Sequence, residues 1–179
     1  MKIIIKLTVM LSLFLMSCTS EPSLQKYFVE KSENKNFISF DVSPSILNVD
    51  QTKLSEEQKA ALKSFEKMNV LAFKLNDKNQ TDFSTERQEV NLILKNEKYQ
   101  QLMKFGSGKE GASISYVGED NHINEFILYG NKKDAGFAVV RILGKDMNPN
   151  NIMTLISIMK DSKMNLDQLK PLQDLMLKK

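Results

Sequence analysis

All seven glycines of this chain fall between Gly106 and Gly144, and the same interval holds its three clearest strand-like runs. Glycine is concentrated where a chain must reverse tightly. Ala112 to Val117, Ile123 to Tyr129 and Gly136 to Leu143 are separated by Gly118-Glu119-Asp120-Asn121-His122 and by Asn131-Lys132-Lys133-Asp134, both polar and turn-rich. That pattern predicts an antiparallel meander. In the middle run Ile123, Ile127 and Tyr129 alternate with Phe126 and Leu128. Both faces are therefore partly apolar, the strand is expected to be central, and Glu125 is expected to be half covered and in need of a partner.

Upstream, Leu24, Tyr27, Phe28 and Lys31 recur at helical spacing over residues 22–33, Phe37 to Val42 is a β-type run stopped by Pro44, and Ser55-Glu56-Glu57-Gln58 is a capping-box pattern opening a helix to about Lys67. Val70 to Leu75 follows as a buried strand. A helical crossover between these two strands would allow them to lie parallel. Further helices are expected over Phe83 to Lys95 and, shorter, over Tyr99 to Phe105, where Leu102 and Met103 sit. Pro149 is well placed as the first residue of a helix through Lys160, with Ile152, Leu155, Ile156 and Met159 on one stripe. The fold expected is α+β: two layers, with a mainly antiparallel sheet of about five strands, including the C-terminal three-stranded meander, covered by helices. At 179 residues, with 41% hydrophobic and 26% charged, the chain is sized for one folded domain.

The first residues carry a different message. Lys2 and Lys6 flank a short isoleucine run, and Leu7 to Met16 is apolar apart from Thr8 and Ser12. A charged segment followed by a ten-residue apolar one is signal-peptide anatomy, and it is too short to span a ~30 Å hydrocarbon core comfortably. Leu15-Met16-Ser17-Cys18 resembles the lipobox of bacterial lipoproteins, in which the leader is cut before a cysteine that receives a diacylglyceryl group. Sulfur suits that step because a thiolate is a far better nucleophile than a hydroxyl near neutral pH. Two or more acyl chains, at roughly 0.8 kcal/mol per buried methylene, would anchor the chain lastingly.

The division expected is thus a lipoprotein signal peptide over 1–17, the lipidated Cys18 with a short tether to residue 23, one α+β domain over 24–160, and an amphipathic segment over 161–179. In that last segment Leu166, Leu169, Leu172 and Leu175 recur every three residues around Pro171. It reads as a broken helix docking on the domain, with a partner-binding or membrane-surface segment as the alternative.

From Tyr99-Gln100-Gln101-Leu102-Met103-Lys104 through Ser113-Ile114-Ser115-Tyr116-Val117 and Ile123-Asn124-Glu125-Phe126-Ile127-Leu128 to Phe137–Gly144, the chain resembles the domain of unknown function family 4252. The resemblance spans roughly residues 24–160. It implies a small exported protein of Bacteroidota, and it supplies no catalytic residues.

Chemistry is scarce. One Cys and one His among 179 residues leave no disulfide framework, no Cys-His pair once Cys18 is lipidated, and no ordinary zinc set, so no metal site and no cofactor are expected. His122 lies beside Glu119 and Asp120 in an expected turn, where a solvated residue is the plainer reading than a general base with a carboxylate orienter. Ser-x-x-Lys occurs at Ser32/Lys35, Ser64/Lys67 and Ser157/Lys160, at a frequency chance explains, without the Ser-Asp-Asn and Lys-Thr-Gly motifs that would give it meaning. Gly106-Ser107-Gly108-Lys109 lacks the full phosphate-loop pattern and reads as a turn. Glu119, Asp120 and Glu125 would serve a carboxylate-dependent hydrolase only if they converged on a cleft.

Nucleic acid is not expected as a partner: Arg87 and Arg141 are the only arginines, and without Lys2 and Lys6 the chain is near neutral. The expected function is that of a cell-envelope lipoprotein, non-enzymatic, anchored by acylated Cys18 in the outer membrane facing the periplasm. It would bind an envelope protein or a small ligand, or act as a regulatory or stress-responsive member of a protein complex.

Overall fold

A computed structural model describes residues 21–47, 49–107 and 110–161. The leader, Leu15, Met16, Ser17, Cys18 and the segment beyond residue 161 lie outside the described residues, and the sequence expectations for them are neither supported nor opposed by it.

Four α-helices and six strands follow one another as α1 (Leu24–Lys31), β1 (Phe37–Val42), α2 (Glu56–Ser64), β2 (Phe65–Lys74), α3 (Gln80–Ile93), β3 (Gln100–Ser107), β4 (Glu110–Glu119), β5 (His122–Lys132), β6 (Gly136–Met147) and α4 (Pro149–Asp161). Two short 3-10 turns, Pro44–Leu47 and Gln51–Lys53, link β1 to α2. The strands form one open sheet in the order β1-β2-β6-β5-β4-β3, antiparallel at every pairing. The fold is α+β with an antiparallel sheet, as the sequence predicts, and the strand count is six, not five.

The extra strand is β3, over the residues whose spacing predicts a third helix. Its pairing with β4 slips between Gln101 and Met103. A bulge of this kind breaks the alternation that marks a strand, leaving Leu102 and Met103 side by side as two partly buried apolar residues, which reads as helix. The second correction concerns direction. Val42 pairs with Met68 and Phe37 with Phe73, so β1 and β2 are antiparallel. Phe65 is both the C-cap of α2 and the first residue of β2, so the helix feeds the strand without a loop. The connection therefore leaves and re-enters the sheet at one end, where a parallel pair would need a return to the other.

The third correction is the number of layers. Both faces of the sheet are packed, making three layers instead of two. On one face Met68, Val70, Phe126 and Ile142 meet Ala61 of α2 and Ile152 and Leu155 of α4. On the other, Leu71, Phe73, Ile127, Phe137 and Val139 meet Leu24, Tyr27 and Phe28 of α1 and Phe83, Val90 and Ile93 of α3. The central strands read as continuous apolar runs for this reason. Phe73 stacks on Phe137 at 5.5 Å and meets Phe37 edge-on at 5.1 Å, contacts worth about 0.5–1.5 kcal/mol each beyond their burial.

Helix ends follow local chemistry. Ser55 accepts from the Gln58 backbone N–H while the Gln58 side chain accepts from Ser55 N–H, with Glu56 and Glu57 in the positive first turn. Ser23 caps α1 through Lys26 N–H, and Leu24 N–H donates to the Tyr99 hydroxyl at 2.9 Å, tying the helix start to the residue that precedes β3.

Candidate binding surfaces

Each face of the sheet changes character along its width, and two of the concavities formed against it differ in chemistry. On the α2–α4 face one cross-sheet row reads Phe40, Val70, Val140, Leu128, Ile114, each paired to the next. Two residues further along, the row becomes Ile38, Ala72, Ala138, Gly130, Ala112, Phe105. The apolar character persists while side-chain volume falls away, and bulk returns only at the two edges. A Cβ placed on Gly130 would meet nothing within 4 Å. A concavity of about 400 Å³ lies there, with Ala72, Gly130 and Ala138 in its lining, and Phe105, at the β3 edge of the same row, is 59% exposed. This end of the face is an open apolar saddle.

The opposite face is aromatic over β1, β2 and β6 and polar over β3, β4 and β5. Lys104 pairs with Ser113, Ser113 with Tyr129, and Gln101 with Ser115, so these five side chains share one patch of the sheet. Asn91 of α3, with Leu94 and Lys95 just past its end, overhangs it beside a recess of about 190 Å³. Tyr129 is 6% exposed, and burial pushes its phenol pKa up against the pull of Arg87, Asn91 and Asn131. Its hydroxyl and the Asn131 Oδ1 are sealed from solvent, the hydroxyl lying beside the Asn91 and Asn131 side chains but outside ordinary hydrogen-bond geometry. The β4 sequence carried a signal for this patch: Gly111, Ser113 and Ser115 alternate with Ala112, Ile114 and Tyr116, a period-two polar stripe on a strand otherwise read only as apolar.

A third concavity, about 570 Å³, lies between the 3-10 turns and α2, lined by Pro44, Val49, Leu54 and Leu62. Its Lys59 is engaged by Glu56 at 2.7 Å, and no acid lines it.

The residues singled out for catalysis do not assemble. Glu125 is held by Arg141 through two bonds, Nε to Oε1 at 2.6 Å and Nη2 to Oε2 at 3.2 Å, on the α1–α3 face, where the guanidinium also lies over the Phe28 ring. The half-covered glutamate thus has the partner its position requires. Asp120 accepts from the Tyr116 hydroxyl at 2.6 Å, and Tyr116 belongs to the core of the opposite face. That hydrogen bond, with burial, raises the Tyr116 phenol pKa. Glu119 is exposed in the β4–β5 turn. Asp120 and Glu125 therefore address opposite sides of the sheet, and none of the three acids lines a concavity described above. His122 does find a carboxylate, Asp146 at 2.9 Å, but both side chains are more than half exposed. Among the described residues no group of three or more His, Cys, Asp and Glu could hold a metal ion, and no helix is long and apolar enough to cross a membrane.

A buried polar cluster ties the two helices of one face together. Tyr27 donates to Glu86 Oε2 at 2.8 Å, and Lys31 reaches Glu86 Oε1 at 2.7 Å and Glu89 at 3.4 Å. Burial and Glu86 push the Tyr27 phenol far above its ordinary range. For Lys31 burial works downward, and the hydrogen bonds and charges of Glu86 and Glu89 outweigh it, leaving the ammonium pKa raised. The cluster holds α1 on α3; it lines none of the three concavities.

Among known proteins, a family described as "Domain of unknown function (DUF4252)" matches residues 27–155. No curated protein and no solved structure matches.

Proposed function

The chain belongs to the domain of unknown function family DUF4252, and on that premise we propose that it is a cell-envelope lipoprotein, non-enzymatic, whose domain is an interaction module held to the membrane by acylated Cys18. The observation that carries the interaction reading is the open apolar saddle lined by Ala72, Gly130, Gly136 and Ala138. Contiguous apolar surface left in water is a mark of a contact site. The leader ending in Leu15-Met16-Ser17-Cys18 supports the anchor, and the placement we propose for it is the outer membrane, facing the periplasm.

Gly130 offers a clean test, because a side chain there has room and the backbone needs no positive φ. Gly130→Lys plants a charge in the saddle. A photo-crosslinker at Lys132, an exposed residue of the same concavity, should give a discrete adduct with an envelope protein in intact envelopes, and Gly130→Lys should abolish it while the thermal midpoint barely moves. No adduct from the native saddle, or one indifferent to Gly130→Lys, contradicts the reading.

A further inference from the structure

We propose that the polar recess beneath α3 is a binding site for a small hydroxylated carboxylate, such as a sugar acid. This site lies on the opposite face from the apolar saddle and rests on neither the anchor nor the interaction reading.

Three features converge. The first is charge: Lys95 and Lys104 stand at the recess, and no carboxylate lines it. Neither lysine has an ion-pair partner among the described residues. A mouth with two uncompensated ammonium groups favours an anion and disfavours a cation. The second is the pattern of donors and acceptors. Ser113 and Ser115 offer hydroxyls that donate or accept, and Gln101 offers an amide that does both; the Asn91 nitrogen already donates to the Arg87 carbonyl at 2.8 Å, so Asn91 offers its oxygen. Such groups suit ligand hydroxyls, which need a donor and an acceptor each. The third is the floor. Tyr129 and Asn131 line it, and their buried oxygens beside the Asn91 side chain make it polar, so it disfavours an apolar group.

Size narrows the class. The recess, at about 190 Å³, is smaller than the roughly 300–1,000 Å³ clefts that take drug-sized ligands, and it suits one six-membered ring. Acetate would satisfy the lysines and leave the serines, amides and floor unmet. Neutral glucose would do the reverse.

Isothermal titration of the full chain in mild detergent, with D-glucuronate, D-glucose and acetate as probes, tests the site. Glucuronate should bind saturably, with glucose and acetate each weaker by about tenfold or more. The methyl glycoside of glucuronate, capped as at the end of a glycan, separates a glycan terminus from a free acid, and binding of either form upholds the site. Lys95→Gln with Lys104→Gln, both on exposed side chains, should weaken glucuronate by about tenfold without changing the circular dichroism or the weak response to glucose. Ser113→Ala should weaken glucuronate and leave acetate unchanged. No saturable heat with glucuronate or its glycoside, equal affinity for glucose or acetate, or a double lysine variant that binds as tightly as the native chain would overturn the proposal.

Discussion

Arg141 and Glu125 face each other across β6 and β5 with side chains 9% and 13% exposed, so each has given up most of its water for the other. Removing one partner strands the second charge: Arg141→Met should cost about 3–5 kcal/mol, read by chemical denaturation, while adding Glu125→Leu should return much of it. A double variant no more stable than the single would mean the pair does not act as a unit. Around Glu86 the sign of the pH response follows from two raised values. Tyr27 and Lys31 titrate above the ordinary 10.0 and 10.5 when folded, so the unfolded chain gives up these protons first. Their stabilisation is whole below those ordinary values and is lost as pH climbs through and beyond them. The thermal midpoint of the native chain should fall more steeply above about pH 10 than that of Lys31→Met or Tyr27→Phe. At this scale the sequence is legible in part. Glu125's need for a partner follows from its place on a two-faced strand, but that Arg141 supplies it depends on register. The polar recess is less legible still, because its five sheet residues come from three strands, and nothing local says that Lys104, Ser113 and Tyr129 align.

The secondary elements are most legible where local chemistry decides them. Ser55 and Gln58 start α2 by reciprocal capping, and Ser55→Ala should lower stability by about 1 kcal/mol, measured as a shifted urea midpoint with unchanged slope. Pro149 begins α4, and Leu24, Tyr27, Phe28 and Lys31 mark α1, just as their spacing predicts. Reading fails at β3, whose bulge at Gln101–Met103 puts two apolar residues in succession on a strand edge. It fails again at the β1–β2 connection, where a helix running straight into a strand turns an expected crossover into a return at the same end. Gly136 is an element-scale constraint of another kind. Its φ is +123°, and a Cβ would sit 2.0 Å from the Phe73 carbonyl oxygen, so the turn into β6 closes on β2 only with glycine there. Gly136→Ala should destabilise the chain far more than Gly130→Ala, which meets nothing; similar midpoints for the two would refute that assignment.

For the whole molecule, composition and length predict one α+β domain, and the meander of β4, β5 and β6 is visible in the glycine spacing. The third layer is hidden because apolar alternation says that both faces of β5 are buried without saying by what. Covering the β1–β2–β6 side of one face with α1 and α3 leaves the recess over β3, β4 and β5. Covering one end of the other face with α2 and α4 leaves the saddle. Among the described residues, both candidate surfaces lie where the four helices leave parts of the six strands uncovered. In the function we propose, attachment at Cys18 would make such a domain an envelope interaction module. Mass spectrometry of the amino-terminal peptide from the membrane fraction tests that most directly. Our account predicts a chain that begins at Cys18 and carries a diacylglyceryl group; an unmodified chain beginning at Met1 would contradict it.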